Sequence, residues 1–305
     1  MNFGASMATI LPDGRLLRVF VCVVRFQGFA AAQQELNMST SAISTYMSQL
    51  EEQLGFTLCN RGRGGFSLTP KGEEFHQEAL RILAEIDGFE RYAAALKGDL
   101  RGNFKLGVLD STVTDPALSL ASVIESFTGE HKALHLHLQI QNPYELQLSV
   151  LSNRLDMAIG AFPMRMNGLV YHPLYREQHW LYCSDRHELF DQSRIEAEQI
   201  GQQRMVGRTY WSHAELVRHG FKRSSASVDS MEGQLILILS GSYIGFLPEH
   251  FAQKWVDQGH LRVLKPAHFG YQAPFSLILR RGRSREPLIQ KFRETLKAQV
   301  SAQRG

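Results

Sequence analysis

The stretch Gly28–Leu54, GFAAAQQELNMSTSAISTYMSQLEEQL, governs how the rest of the chain is read. Phe29, Ala32, Gln33 and Leu36 form one helical face that is small where a second helix must approach, and Asn37 tolerates the left-handed conformation that ends a helix. Ser39 follows as an N-cap, and Ile43, Met47, Leu50 and Leu54 then repeat at helical spacing. The other face of this second helix holds Thr40, Ser41, Ser44, Thr45, Tyr46 and Ser48, hydrogen-bonding groups in place of the Lys and Glu usual on a solvated surface. With Ser39, these are the side chains a helix would use to read base edges in a major groove. A helical hairpin with a Ser/Thr-rich exposed side would look the same, so the flanking chain has to separate the two.

Upstream, Asp13 can cap a helix whose stripe is Leu16, Leu17, Phe20, Val23 and Val24, broken at Gly28. Downstream, Phe56 and Leu58, the run NRGRGG, then Phe66 and Leu68 read as two short strands about a glycine-rich turn with Arg61 and Arg63 at its tip, the wing of a winged helix. Residues 1–71 hold six basic and four acidic side chains, and two of the basic ones lie in that wing, where they would grip phosphates.

Thr69 and Pro70 open a long helix in which Phe75, Ala79, Ile82, Ile86, Phe89, Ala93 and Leu96 recur at alternating steps of four and three, a heptad seam expected to join two copies of the chain. At 1.5 Å per residue a helix over 71–97 spans roughly 40 Å. Its remaining faces, with Glu74, Glu78, Arg81, Glu85, Asp87, Glu90 and Arg91, read as solvated. The limits expected are a loose tail at 1–12, a winged helix-turn-helix domain at 13–70, the dimerising helix at 71–97, a hinge at 98–103, and a further domain at 104–305. In that last domain strand-like runs near 104–109, 134–140, 157–162, 179–183, 243–247 and 275–280 alternate with helical runs near 116–127, 145–153, 213–221, 231–239 and 287–300, an α/β pattern with largely parallel sheets.

The composition is that of an ordinary globular chain: 305 residues, 44% hydrophobic, 21% charged, formal net charge +3. So small an excess does not itself imply a polyanion partner, and the placement of charge matters more. Three widely separated cysteines, Cys22, Cys59 and Cys183, form neither a disulfide framework nor a zinc motif and fit a reducing cytoplasm. The N-terminal residues lack the basic and apolar regions of a signal peptide, and no apolar run reaches membrane length, so a membrane partner is not expected.

The stretch FAAAQQELNMSTSAISTYMSQLEEQLGFTLCNRGRGGFSLTPKG resembles the N-terminal winged helix-turn-helix of LysR-type transcriptional regulators through the helix pair, the LEEQLG exit, the arginine wing and the LTPKG start of the linker helix. FKLGVLDS, LDMAIGAF and YIGFLP resemble that family's effector domain. The resemblance implies two periplasmic-binding-protein-like α/β lobes, with lobe I at 104–161 and about 268–305 and lobe II at about 162–267, a small-molecule effector between them, double-stranded DNA and RNA polymerase as partners, and homodimers that commonly pair into homotetramers. Many relatives carry arginine where Thr45 stands and glutamine where Tyr46 stands, so an operator sequence does not carry over.

Within the effector domain, Asp110, Ser111 and Thr112 follow the first strand, where the C-terminal edge of a sheet and a helix start favour an anion. Ser111 and Thr112 suit a carboxylate, whereas Asp110 would repel one or pair with an amine. By the same family geometry Gly160, Ala161 and Phe162 at the first crossover, Gly207 in the second lobe and Asp229 before its next helix face the cleft. His135 and His137 alternate with leucines as the polar face of a strand, so no metal is expected, and the absence of a nucleophile elbow, phosphate loop or full dinucleotide fingerprint argues against an enzyme and against a cofactor. The alternative class is a solute-binding or transport receptor built from the second half alone. The wing yields a direct test: Arg61→Ala with Arg63→Ala should weaken DNA binding alike on all sequences and flatten its salt dependence, and a sequence-selective loss would refute the backbone role.

Overall fold

The computed structural model describes residues 13–60, 65–96, 100 and 102–302. Arg61 and Arg63, the 1–12 tail and half of the 98–103 hinge, residues 98, 99 and 101, lie outside the described residues. The chain forms two compact units, one comprising the described residues through Glu90 with Ser152–Arg154, the other the rest.

The first unit contains α1 (Gly14–Arg25), α2 (Gln33–Leu36), α3 (Thr40–Leu54), β1 (Cys59–Asn60), β2 (Ser67–Leu68) and the start of α4 (Pro70–Leu96). Its helix limits follow local chemistry. Asp13 caps α1 by accepting from the Arg15 amide, Ser39 caps α3 by accepting from the Ala42 amide, and Asn37 and Gly55 close α2 and α3 in the left-handed region. Gln27, not Gly28, takes the left-handed turn after α1, at φ 52°. Leu16, Leu17, Phe20, Val23, Ile43, Met47 and Leu50 are buried together. The Glu51 carboxylate of α3 accepts the Leu58 amide at 2.7 Å and so fixes the wing to the helix pair, whose two strands pair antiparallel, Cys59 with Leu68 and Asn60 with Ser67.

The seam of α4 is divided. Ala79 is buried in the core of its own head, and Phe75, Ile82 and Ile86 pack against that core, with the Phe20 and Phe75 rings 5.6 Å apart. Phe89 and Leu96, by contrast, are 71% and 73% exposed. Of the seven seam positions expected to face a second copy, Ala79 is thus taken up by its own head, because a helix folded onto its own domain produces the same apolar period as one facing a partner. Arg91, expected on a solvated face, is instead half-buried and pairs with Asp156 at 3.0 Å, which also holds Arg283 at 2.7 Å.

The second unit runs β3 (Gly102–Val108), α5 (Leu120–Gly129), β4 (Leu134–Ile140), α6 (Pro143–Leu151), β5 (Met157–Ala161), β6 (Leu169–Ser184), α7 (Ala197–Gly201), β7 (Val206–Arg208), α8 (His213–Arg218), β8 (Ala226–Val228), α9 (Met231–Leu239), β9 (Gly245–Pro248), α10 (Glu249–Asp257), β10 (Leu261–Val263), β11 (Gly270–Arg280) and α11 (Pro287–Ala302). In the first lobe β3 pairs parallel with β4 and β5, while β11 pairs antiparallel with β5 and with β6. The second lobe adds β9 and β10 antiparallel to β6, and β7 parallel to β8. The sheet is thus mixed, not largely parallel.

β6 and β11 run through both lobes. Tyr175 pairs with Phe275 and Pro173 with Ser276, a bulge that leaves Leu174 as an extra residue where the strands change lobe. The lobe limits therefore fall near 175/176 and 274/275, not at 161/162 and 268, since Leu169–Tyr175 belong to the sheet of the first lobe. A continuous strand keeps its alternation across such a crossing, which hides the boundary from hydropathy. Phe104, Phe127 and Phe292 meet at 5.1 Å centroid distances in the core of the first lobe.

Gly72 tests the packing of linker against wing. A Cβ there would sit 1.9 Å from the Leu58 carbonyl oxygen, whereas one at Gly14 would have 3.7 Å to Ile86. Gly→Ala inside a helix ordinarily stabilises by about 0.5–1 kcal/mol. Gly72→Ala is expected to reverse that sign and lose about 1–3 kcal/mol in urea unfolding of the head, with Gly14→Ala as the tolerated control; equal stability of the two variants would refute the close approach.

Candidate functional site

The outer face of α3 presents Thr40, Ser41, Thr45 and Ser48 as exposed groups, with Ser44 and Tyr46 half-buried. Several of these hydroxyls already have work within the helix. The Ser39 hydroxyl accepts from the Ala42 amide and lies 2.9 Å from the Ser41 hydroxyl, and the Thr45 hydroxyl donates to the Ser41 carbonyl at 3.0 Å. Tyr46 packs against the head core with the Arg15 guanidinium 5.0 Å from its ring centroid. Arg15 is thereby placed beside the polar face of α3, a cation that the wing-centred reading passed over. Arg18 is engaged with Asp87 at 3.0 Å.

The second unit contains a cleft of about 450 Å³ between its lobes. Of the eight positions expected to line it, Asp110, Ser111, Ala161 and Phe162 do so. The other four do not. Thr112 is buried with its hydroxyl donated to the Leu109 carbonyl, Gly160 is packed against the Leu109 side chain, Gly207 lies inside β7 against Ser224, and Asp229 faces a separate, smaller depression. In each pair of neighbours the alternation of a strand or the tightness of a turn sends one side chain away from the cleft. Asp110 is also not free: its carboxylate accepts the Met231 amide at the N-terminus of α9, so it bridges the lobes where a helix dipole favours negative charge. Burial raises its pKa, opposed by that amide and by Arg208.

The residues that dominate the cleft come from the crossing strands and the second lobe: Glu177, His179, Arg208, Trp211, His219 and Tyr271. Glu177 and His179 are both buried, and His179 Nε2 lies 2.5 Å from Glu177 Oε2. An Arg208 Nη2 donor lies 3.1 Å from His179 Nδ1, so Nδ1 accepts and Nε2 carries the proton it gives to Glu177. His250 of α10 reaches Glu177 at 3.0 Å and Thr114 of the first lobe at 2.8 Å, a second bridge between lobes. Asp115, Glu177 and His250 bring ligand-capable atoms within 4.8 Å of one another. Protein donors occupy them, however: Tyr175 and the Ala117 amide on Asp115, and the two histidines on Glu177.

Burial pushes His179 down to about 4, with Arg208 adding to the effect and Glu177 opposing it. Burial, Arg208 and Arg218 likewise push His219 down to about 4. Burial acts to raise Glu177, but the hydrogen bonds from His179 and His250 hold it down to about 2. No single sequence signal marks this group. Glu177 and His179 do share a strand face at spacing two, which was the one clue available.

A helix-turn-helix head joined by a long helix to a two-lobed unit with an internal cleft defines a DNA-binding regulator of the ligand-controlled class. The comparisons agree. The model of the bacterial regulatory helix-turn-helix protein, lysR family, matches residues 15–73, and that of the LysR substrate binding domain matches residues 97–301. The chain belongs to the LysR family of transcriptional regulators. It is 35% identical over 287 residues to the HTH-type transcriptional activator BauR of Pseudomonas aeruginosa, covering 93% of this chain and 94% of that one. It is 26% identical over 295 residues to the RuBisCO operon transcriptional regulator of Allochromatium vinosum, covering 92% and 94%. In fold it is similar to full-length CbnR in complex with its target DNA (TM-score 0.65, 21% identity, 94% and 99% covered) and to ArgP from Mycobacterium tuberculosis (TM-score 0.62, 21% identity, 95% and 97% covered). These likenesses leave the transport-receptor alternative without support, and the relatives are named as regulators, not enzymes. Among the described residues no helix is long and apolar enough to cross a membrane.

The histidines yield a pH test with a defined sign. His179 and His219 titrate near 4 when folded against an ordinary 6.5, so the unfolded chain binds more protons between those values and stability falls as pH drops through that window. Glu177, at about 2 against 4.5, continues the fall at lower pH. The melting temperature of the full chain should therefore decline steadily from neutral pH toward about pH 4, and less steeply in His219→Asn; a flat profile, or an unchanged slope in that variant, would contradict the buried neutral imidazoles.

Proposed function

We propose that the chain controls transcription by reading two DNA half-sites with paired winged helices, and that a small-molecule effector in the interlobe cleft shifts the arrangement of the lobes and so promoter binding or activation. The observation that carries this reading is the presence in one polypeptide of an α3 face on which Thr40, Ser41, Thr45 and Ser48 are exposed and of a cleft whose walls are bridged, among the described residues, by the Asp110–Met231 and Thr114–His250 hydrogen bonds. A ligand that fits one lobe arrangement better than another can bias so lightly bridged an equilibrium. Base contacts fall to Thr40, Ser41, Ser44, Thr45 and Ser48, with Ser39 and Tyr46 supporting the helix, and phosphate contacts to Arg61 and Arg63 together with Arg15.

Self-association runs through the second half of α4, where Phe89 and Leu96 stand exposed with Ala93 between them on the stripe. Homodimers of this kind pair further into tetramers, work with RNA polymerase at the promoter, and reside in the cytoplasm with the DNA they bind. Selection from a random duplex pool with the purified chain should enrich dyad-related half-sites. Phe89→Asp with Leu96→Asp should give a folded monomer by light scattering with roughly tenfold or greater loss of affinity for the paired site. A pool without enrichment would sink the sequence-specific reading, and an intact dimer in the double variant would remove α4 as the interface.

A further inference from the structure

The Asp156 carboxylate, just before β5, is a point where separate parts of the second unit meet. Its side chain is 5% exposed. Oδ2 accepts the Lys105 amide of β3 at 2.8 Å, and the Asp156 amide donates back to the Lys105 carbonyl at 2.8 Å. Oδ1 accepts from Arg283 Nη2, in the turn after β11, at 2.7 Å and from Arg91 Nη2, on α4, at 3.0 Å. Arg283 also grips Glu286, at the entrance to α11, through Nε at 2.5 Å and Nη2 at 2.7 Å, and Arg91 Nη2 lies 3.8 Å from the same carboxylate. Arg91 and Arg283 thus face Asp156 and Glu286, a set balanced in charge and largely removed from water. That is the condition under which a buried ion group holds its geometry and escapes screening by salt.

The members of the set differ in what they do for the first lobe. Lys105, Asp156, Arg283 and Glu286 join β3, β5, β11 and α11, elements that the sheet and its core already hold together. Arg91 is the member that comes from α4. Without it Asp156 keeps Arg283 and the Lys105 amide, so its charge stays answered and the lobe stays complete. What is lost is the hold on the last turn of α4. A helix end left to itself frays, because its last carbonyls have no partners within the helix.

The backbone is fitted to this arrangement. Gly102 has φ 109°, and a Cβ there would stand 3.3 Å from Arg91 Cγ, so glycine leaves open the path of the Arg91 stem. Arg91 and Lys105 stand on either side of the connector at 98–103, the stretch expected from the sequence to be a hinge. Both bond the one Asp156 carboxylate. A joint whose two flanks are tied to the same buried group swings only when that group lets go.

We propose that Asp156 locks the end of α4 to the first lobe through Arg91, so that the turn from Arg91 to Leu96 and the lobe move as one body and 98–103 does not act as a hinge. Arg91 is a positioning residue in this scheme. Tyr92 and Leu96, 44% and 73% exposed, ride on the locked turn, so a displacement of the first lobe reaches the exposed stripe of α4 without passing through a loose joint. The use of that displacement in controlling DNA binding rests on the reading of α4 as the interface between copies; the lock does not.

Hydrogen–deuterium exchange on the full chain, followed by mass spectrometry, tests the lock. In Arg91→Gln the amides of 91–96 should exchange roughly tenfold faster or more, while the peptides of β3, β5 and β11 and the melting temperature stay as in the parent chain. Arg91→Lys keeps a cation in reach of Oδ1 and should restore most of the protection. Arg81→Gln removes an exposed arginine of the same helix, paired with Glu78, and should change nothing at 91–96. Unaltered protection in Arg91→Gln overturns the lock. So does failure of that variant to fold, because Asp156 would then need Arg91 to complete the lobe itself. Its dissociation to monomers by light scattering overturns the lock as well, because Arg91 would then act on the seam directly. The exchange experiment needs neither DNA nor effector, so failure of the lock and failure of the proposed function are read apart.

Discussion

The long antiparallel pairing of β6 with β11 is the constraint on which the second unit depends. Because these two strands pass through both lobes, each lobe has to be assembled around the same ribbon, and any change in lobe arrangement must be absorbed where the ribbon changes hands, at the bulge beside Tyr175 and Phe275. Glu177 and His179 follow immediately along β6, and Tyr271 and Phe275 face the cleft from β11. The same backbone hydrogen bonds that hold the lobes together therefore place the polar groups of the cleft at the point of greatest leverage.

Those polar groups form a relay and not a set of separate contacts. His250 and His179 bond one carboxylate, Glu177, and His179 in turn receives Arg208, so three buried side chains of β6 and β7 and the half-buried His250 of α10 hold one another in place. In a low dielectric such a network is firm when complete and costly when interrupted. Thr114 joins it from the first lobe through His250, which makes the approach of the lobes sensitive to anything that disturbs the relay. Arg208 stands at its end, donating also to the Phe246 carbonyl and to Gln234.

In the head the same economy of position is local. Asp13, Asn37, Ser39, Gly55 and Thr69 act on backbone groups within four residues of themselves, so the start and stop of each helix was legible from residue type and spacing. The seam of α4 was legible as a period but not as an assignment, since Phe75 and Ala79 serve the head while Phe89 and Leu96 stand clear of it. In the second unit half of the expected cleft residues were recovered, those that follow the first strand or the first crossover. The remainder, Thr112, Gly160, Gly207 and Asp229, were displaced by a single step of strand alternation or by a turn, which sequence spacing does not resolve.

By itself the sequence determined the family, the order of head, linker and two-lobed domain, and the chemistry of the α3 face, because these rest on short-range patterns of caps, periods and motif residues. Only the tertiary structure decided which residues own the cleft. Glu177, Arg208 and Tyr271 are separated by tens of residues and are brought together by the crossing of β6 and β11. Which groups a buried side chain meets depends on those long-range contacts, and no local pattern along the chain records that Arg208 is buried against His179, Gln234 and the Phe246 carbonyl.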